Sequence, residues 1–483
     1  MADPSGVVFP VSGADGDRST SALGRGVVAD ALRGIDPVGA RAAESETGWR
    51  RQYLGHFRRL VEAGLDSGDA ARQIAADGLA SLHDRMRVVR AGGEEVGLRE
   101  VFGGPAAEAL GTERVVGTAE PERELTLPYR GERLRGDALH RRLDDWVTRG
   151  VVEPSCAQAV RTVAAHPEWL DTSDTRIAVL GAGAEMGPVH SLLRWGGSVV
   201  AVDLPRPALW SRVLEVAGRS AGTLTAPVRP GGGRLEQRAG ADLLHDLPAV
   251  AAWRGAVEGR LLLGNYVYAD GATHVRVATA VDALTEQLRR TRPDTALSFL
   301  ATPTDAFAVP GDAVEHSGRA WDRRGRTADL LRLLSGGRVL QRSYAPGSDP
   351  GLNDSLVPQQ GPNYALAKRV QRWRATTARA QGALVSLHVA PPTRTRSVLK
   401  NRALAAAYAG AHRFGVEVFD AATSNTLMAA LLVHDLRTAP APRVHPWQDE
   451  AHAAAHGGLW RTAYGPRSAL GLAAVLGLGA VRG

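Results

Sequence analysis

The chain has 483 residues and a formal charge of +7, with the positive charge written as 56 arginines and only two lysines. That length exceeds one typical domain and buries a sizeable core. No run of five basic residues and no basic stripe interleaved with aromatics occurs, so the footprint of a nucleic-acid binder is missing. Cys156 is the only cysteine, which excludes a disulfide framework or a cysteine-based metal site within one chain.

Residues 1–45 are rich in Gly, Ala, Ser and Asp with weak periodicity, a pattern that predicts a mostly disordered leader. The opening MADPSGVVFPVSGADGD lacks the basic region and apolar core of a signal peptide, so the expected location is cytoplasmic. Over 46–175 apolar residues recur at helical spacing, as in Trp49, Tyr53, Phe57, Leu60 and again Leu139, Leu143, Trp146, and predict a helical N-terminal domain. From Arg176 the texture changes. Short apolar runs at Ile177–Leu180, Val199–Val202, Leu261–Leu263, Leu297–Leu300 and Leu384–Leu387 alternate with helical stretches. They predict an α/β domain over 176–440, a Rossmann-like doubly wound parallel sheet. Residues 311–361, rich in Arg, Gly, Asp and Pro, interrupt that rhythm with one helical piece around Leu330–Leu334 and predict an insertion, a lid or a loop. In the C-terminal tail, 441–483, the apolar run Ala469–Val481 is too short and glycine-rich to span a bilayer and reads as a packing segment.

The first run of the α/β domain ends in Gly181-Ala182-Gly183-Ala184-Glu185-Met186-Gly187, a helix is predicted to about Trp195, and the second run ends at Asp203. Strand, glycine turn, helix and an acid some twenty residues on is the layout of a dinucleotide-binding unit. Gly181, Gly183 and Gly187 give close backbone approach, the helix N-terminus faces phosphate, and the acid takes ribose hydroxyls. Asp203 favours NAD over NADP because a carboxylate repels a 2′-phosphate; the nearby Arg206 acts the other way. A glycine turn followed by an acid also serves S-adenosylmethionine-dependent methyltransferases. That family carries an acid two positions before the first glycine, where this chain has Val179.

One of the two lysines, Lys368, stands four residues after Tyr364. On a helix that spacing puts both side chains on one face. A cation there favours the phenolate and is expected to draw the phenol from about 10 toward neutrality, which makes Tyr364 a candidate general acid/base.

Taken in order, the segments of 176–437 resemble the short-chain dehydrogenase/reductase family in divergent form. They are the glycine turn with Glu185 at one glycine position, Asp203, the pair Asp242-Leu243, Leu263-Gly264-Asn265-Tyr266, Tyr364 with Lys368, and Ala390–Thr395 after the sixth strand. The resemblance implies hydride transfer between a nicotinamide cofactor and a carbonyl or alcohol carbon, with Tyr364 moving the proton and Lys368 tuning it. It also implies that Asp242 and Leu243 contact adenine, that Asn265 ends the cofactor-facing strand and that Thr395 meets the nicotinamide amide. The family's serine before the tyrosine is missing. Thr302 or Thr304 offers a hydroxyl in its place, and Ser355 lies nearer in sequence. His274, in the region of the family's fourth helix, reads as a surface residue, and Arg394 and Arg396 flank the substrate loop as surface charge or as holders of an acidic group. The histidines toward the C-terminus carry no metal-binding spacing, so no metal is expected.

The reading is therefore an NAD(P)-dependent oxidoreductase acting on a small molecule, with no nucleic acid or membrane partner and a possible homo-oligomer. The alternatives are a methyltransferase on the same turn and a non-catalytic nucleotide-binding module.

Overall fold

The computed structural model describes residues 5–12, 16–104, 108–255 and 257–481. Its centre is a seven-stranded sheet with strands numbered along the chain: β1 (Gly111–Val116), β2 (Thr175–Leu180), β3 (Ser198–Val202), β4 (Thr223–Val228), β5 (Arg260–Asn265), β6 (Ala296–Ala301) and β7 (Val385–Val389). Their order is β7-β6-β5-β2-β3-β4-β1. Strands β2 to β7 are parallel, and β1 runs antiparallel to β4 at the edge. The chain winds outward from β2 to β4, returns to lie beside β2 as β5, and winds outward on the other side. The reversal falls between β2 and β5.

The covering helices are α1 (Thr20–Arg33), α2 (Trp49–Glu62), α3 (Gly68–Arg85), α4 (Gly136–Thr148), α5 (Pro154–Ala165), α6 (Val189–Arg194), α7 (Ala272–Thr291), α8 (Gly361–Ala380), α9 (Arg402–Gly410), α10 (Ala421–Thr438) and α11 (Pro466–Val481). Parallel strands need crossovers, which place helices on both faces. The apolar runs read from the sequence follow from that double burial. Ile177 and Val179 enter one core with α4, α5, α6 and α10, while Ala178 and Leu180 enter the other with α7 and α8.

The chain before Arg176 differs from expectation. Residues 16–45 are not a disordered leader: α1 is capped by the Ser19 hydroxyl, a second helix (Pro37–Glu44) is capped by Asp36, and Val27, Val28 and Leu32 are fully buried. Residues 46–175 do not make a helical domain of their own. They supply α2 and α3 to an outer layer on α7 and α8, β1 to the edge of the sheet, and α4 and α5 to the opposite face. Helix α3 crosses α8 so closely at Gly78 that a Cβ there would meet the Trp373 ring at 2.5 Å. The crossing is locked by Asp282 on α7, which accepts from Arg374 Nε (2.8 Å), Arg374 Nη2 (2.7 Å) and His83 Nε2 (2.7 Å).

The 311–361 segment holds the expected helix, Arg326–Leu334, and an unexpected one, Gly311–Asp322. It returns through Gly351–Asp354, which pairs antiparallel with Ala306–Val309. The apolar tail is α11, whose small residues pack on α9: a Cβ at Gly410 would collide with the Ala473 carbonyl, and one at Gly477 with that of Ala406. Among the described residues no helix is long and apolar enough to cross a membrane.

Glu153, at the start of α5, joins the insertion to the C-terminal segment. It is 4% exposed and accepts from His456 Nε2 (2.8 Å) and from Arg461 Nε (2.8 Å) and Nη2 (2.6 Å), and Arg461 also reaches Asp312. Burial alone would raise the Glu153 carboxyl, but the hydrogen bonds from His456 and Arg461 outweigh it and hold the group at about 2. A group depressed in the folded state stabilises the fold above its unfolded value, and that contribution is lost as pH falls through the folded value. Stability is therefore expected to decline from about pH 4.5 down to about pH 2. Glu153→Gln should remove this part of the acid dependence in unfolding midpoints measured across that range. An unchanged acid limb would refute the assignment.

Candidate functional site

The functional residues proposed from the sequence gather at the carboxyl ends of the parallel strands. Gly181, at the end of β2, has φ +83°, and a Cβ there would stand 2.9 Å from the Tyr266 backbone. The turn thus lies directly against the end of β5. Gly183 donates its N–H to Asp203 Oδ2 (2.8 Å), and Leu204 N–H donates to Oδ1 (2.7 Å). Burial raises the Asp203 carboxyl against the pull of these two amides. The carboxylate is therefore committed to shaping its own turn, although each oxygen keeps further acceptor capacity. The Gly187 carbonyl accepts from the Asn425 side chain on α10.

Helix α6 starts two residues beyond Gly187, after Pro188, and has only six residues. The extended helix N-terminus expected at the glycine turn is not formed. Proline supplies no N–H, and so short a helix sums little dipole.

The other residues that the sequence suggests as cofactor contacts divide. Asn265 is buried at the end of β5, and its Oδ1 accepts from Val267 N–H (3.3 Å). Thr395 shares a hydrogen bond with Ser397 (2.9 Å) in the segment after β7. Leu243, by contrast, is a core residue, and Asp242 is turned into its own loop, where it accepts from Leu244 N–H (2.9 Å) and meets His245 Nδ1 (2.9 Å). The pair implied to contact adenine thus has one member in the core and the other hydrogen-bonded within its own loop. An unforeseen link spans the crevice: Arg396 donates from Nε (2.6 Å) and its backbone N–H (2.8 Å) to Glu185 of the glycine turn. Arg396 is largely exposed, so the pair is worth little and opens readily. It also removes Arg396 from the role of a free anion holder.

Tyr364 lies in the first turn of α8, and Lys368 one turn on. At the end of β6 the Thr302 and Thr304 hydroxyls share a hydrogen bond (3.0 Å). Thr304 also accepts from Gln360, which leaves Thr302 as the hydroxyl beside Tyr364. Ser355 plays no part, since its buried hydroxyl donates to Asn353. The expected lowering of the phenol is not found. Burial pushes Tyr364 up to about 12, with the Thr302 hydroxyl pulling the other way. Lys368 donates instead to the Leu300 carbonyl (3.2 Å) and to Gln371 Oε1 (3.2 Å), and burial pulls its ammonium down to about 8. The two groups share a helix face, but burial and not their mutual charge sets both shifts.

Three residues of the site were not foreseen. His274, in the first turn of α7, is no surface residue but 1% exposed, and its ring lies 5.4 Å from that of Tyr364. The Tyr268 ring stands 5.2 Å from His274 and 6.4 Å from Tyr364. Tyr408 on α9 is close enough to Tyr364 for the two phenols to influence each other's charge. One signal was available in the sequence, since Tyr268 follows Asn265 by three residues where the chain leaves β5.

Two cavities lie elsewhere. One of about 570 Å³ is lined by Thr112, Arg176 and Trp253, and one of about 600 Å³ by Arg58, Arg342 and Arg467. Compared with known proteins, the chain matches no family model and no curated protein.

Proposed function

We propose that the protein is an NAD(P)-dependent oxidoreductase of the short-chain dehydrogenase/reductase type, built on a Rossmann-like doubly wound sheet. The observation that carries this reading is that Tyr364 and Lys368, one turn apart on the helix before the last parallel strand, both reach the end of the strand before it, Tyr364 beside the Thr302 hydroxyl and Lys368 at the Leu300 carbonyl. The strand order supports the cofactor. In doubly wound sheets ligands bind at the carboxyl ends where the winding reverses, and Gly181 and Asn265 stand on either side of that point. A Cβ at Gly183 would press on Leu209 at 3.2 Å and on Asp203 Oδ2 at 3.3 Å, so the turn packs too closely on its acid for a side chain. Gly181, Gly183, Gly187 and Asp203 would hold the nucleotide end, and Asn265 and Thr395 the nicotinamide end. Asp203 favours NAD.

The nicotinamide supplies or takes the hydride. The chain's own residues handle the oxygen. Thr302 Oγ1 donates a hydrogen bond to the substrate carbonyl, and Tyr364 Oη gives its proton to the oxygen as negative charge develops there. A phenol kept neutral by burial is loaded for that donation. The positive charge of Lys368, one turn behind, stabilises the phenolate left after transfer.

The raised phenol and the Glu185–Arg396 link across the crevice favour one second reading, a nucleotide-binding module without turnover. Incubating the protein with NADH and a panel of aliphatic and aromatic ketones and aldehydes separates the two. Substrate-dependent loss of reduced nicotinamide supports the oxidoreductase, whereas cofactor binding with no turnover on any member supports the module.

A further inference from the structure

The floor of the Tyr364 site is a histidine without side-chain hydrogen bonds. Neither ring nitrogen of His274 has a side-chain partner among the described residues, and the Val267 backbone is the one hydrogen-bonding group that acts on the ring. A neutral imidazole has one donor and one acceptor to satisfy, and leaving either unmade in a buried place is costly. An apolar ring would fill the same space without that cost. Such an orphan requires an explanation, and a partner that arrives from solvent is one.

The walls above this floor are rings. Tyr268 comes from the end of β5, Tyr364 from α8 and Tyr408 from α9. Tyr268 is 50% exposed, and Tyr364 and Tyr408 are partly exposed, so this ring cluster reaches the surface above buried His274. The centroids of the His274, Tyr268 and Tyr364 rings stand 5.2–6.4 Å apart at 58–67°, the tilted contact that aromatic rings prefer and that a further flat ring would extend. The polar groups of the cluster are held in their uncharged forms. Burial, then the Lys368 charge, pulls His274 down to about 3, and burial takes the Tyr268 and Tyr364 phenols up to about 12.

We propose that the site takes an uncharged flat aromatic carbonyl compound bearing a second oxygen substituent, and that His274 hydrogen-bonds this second oxygen while Tyr364 serves the reacting one. The proposal rests on the oxidoreductase reading for the role of Tyr364, but its test reads binding alone.

Calorimetric titration would compare 4-hydroxybenzophenone, benzophenone and dicyclohexyl ketone against the wild type, His274→Phe and His274→Asn. The wild type is expected to bind the hydroxylated ketone roughly tenfold more tightly than benzophenone, the scale of one well-made hydrogen bond to a group otherwise left unpaired. Dicyclohexyl ketone should bind more weakly than either. His274→Phe should unfold at the same temperature as the wild type or higher, and should lose the preference for the hydroxyl. His274→Asn, which keeps a donor and an acceptor, should retain part of it. The proposal is overturned if the phenylalanine variant keeps the preference, if dicyclohexyl ketone binds as well as the aromatic pair, or if neither aromatic ketone binds. Binding with the expected preference but without turnover would leave this site standing and remove the oxidoreductase reading. Turnover without the preference would do the reverse.

Discussion

Replacing Tyr364 with phenylalanine is expected to lower turnover by about 10²–10⁴-fold, the usual worth of a positioned proton donor, while leaving the affinity for reduced nicotinamide unchanged. The substitution removes one hydroxyl from a ring that remains packed near His274 and Tyr268, so the walls of the site survive. The effect should fall on kcat together with kcat/KM, because the lost interaction forms only as charge develops on the substrate oxygen. The pH profile adds a second readout. With the phenol at about 12 and the lysine at about 8, reduction should hold its rate through neutral pH and weaken as Lys368 loses its proton above about 8. Near-normal turnover in the phenylalanine variant would remove Tyr364 from the mechanism.

The second large effect concerns stability. Asp305, 1% exposed and immediately after Thr304, accepts from Arg369 Nη2 (2.8 Å), Arg372 Nη1 (2.8 Å) and the Ala306 N–H (2.7 Å), and Arg372 also grips Glu450 with two bonds of 2.6 Å. Burial alone would raise this carboxyl, but the two guanidiniums outweigh it and hold the group below the ordinary carboxylate range. Asp305→Asn keeps the volume and removes the charge. It leaves Arg369 buried without a carboxylate within salt-bridge distance among the described residues. Breaking such a pair from one side costs about 3–5 kcal/mol, because the remaining charge is desolvated and uncompensated. Denaturant unfolding should show that loss. The site should also loosen, since Asp305 anchors the strand end carrying Thr302 to the helix carrying Tyr364. A change below about 0.5 kcal/mol, ordinary for a surface substitution, would contradict the role given to this hub.

The sheet was legible in the sequence because its strands are buried on both faces. Ile177–Leu180 and Val199–Val202 have no polar side to confuse the reading. The Tyr364 and Lys368 pair was legible for a similar reason, since helical spacing is a local property and α8 is a single helix of twenty residues. What escaped was set by distant contacts. Helix α1 is half small residues, and its order comes from packing under α3; the local cues were only its capping serine and the Asp36-Pro37 start of the next helix. The helix Gly311–Asp322 was hidden by a composition that reads as loop. Spacing does not give the direction of the Tyr364 shift, because it reports which charge is near, whereas burial decides whether any charge is tolerated, and here burial is the larger effect. His274 was misplaced on the same ground. A polar residue with no local partner reads as exposed until the rings of Tyr268 and Tyr364 are seen above it.

The most direct test of the central claim is a thermal-shift titration of the purified protein with NADH, NADPH and S-adenosylmethionine in parallel. A ligand that binds only the native state adds about 2.7 kcal/mol of apparent stability at a hundredfold excess over its dissociation constant. A saturable rise in unfolding temperature is expected with NADH, a smaller one with NADPH because of Asp203, and none with S-adenosylmethionine. A rise with S-adenosylmethionine alone, or with none of the three, would contradict the central claim.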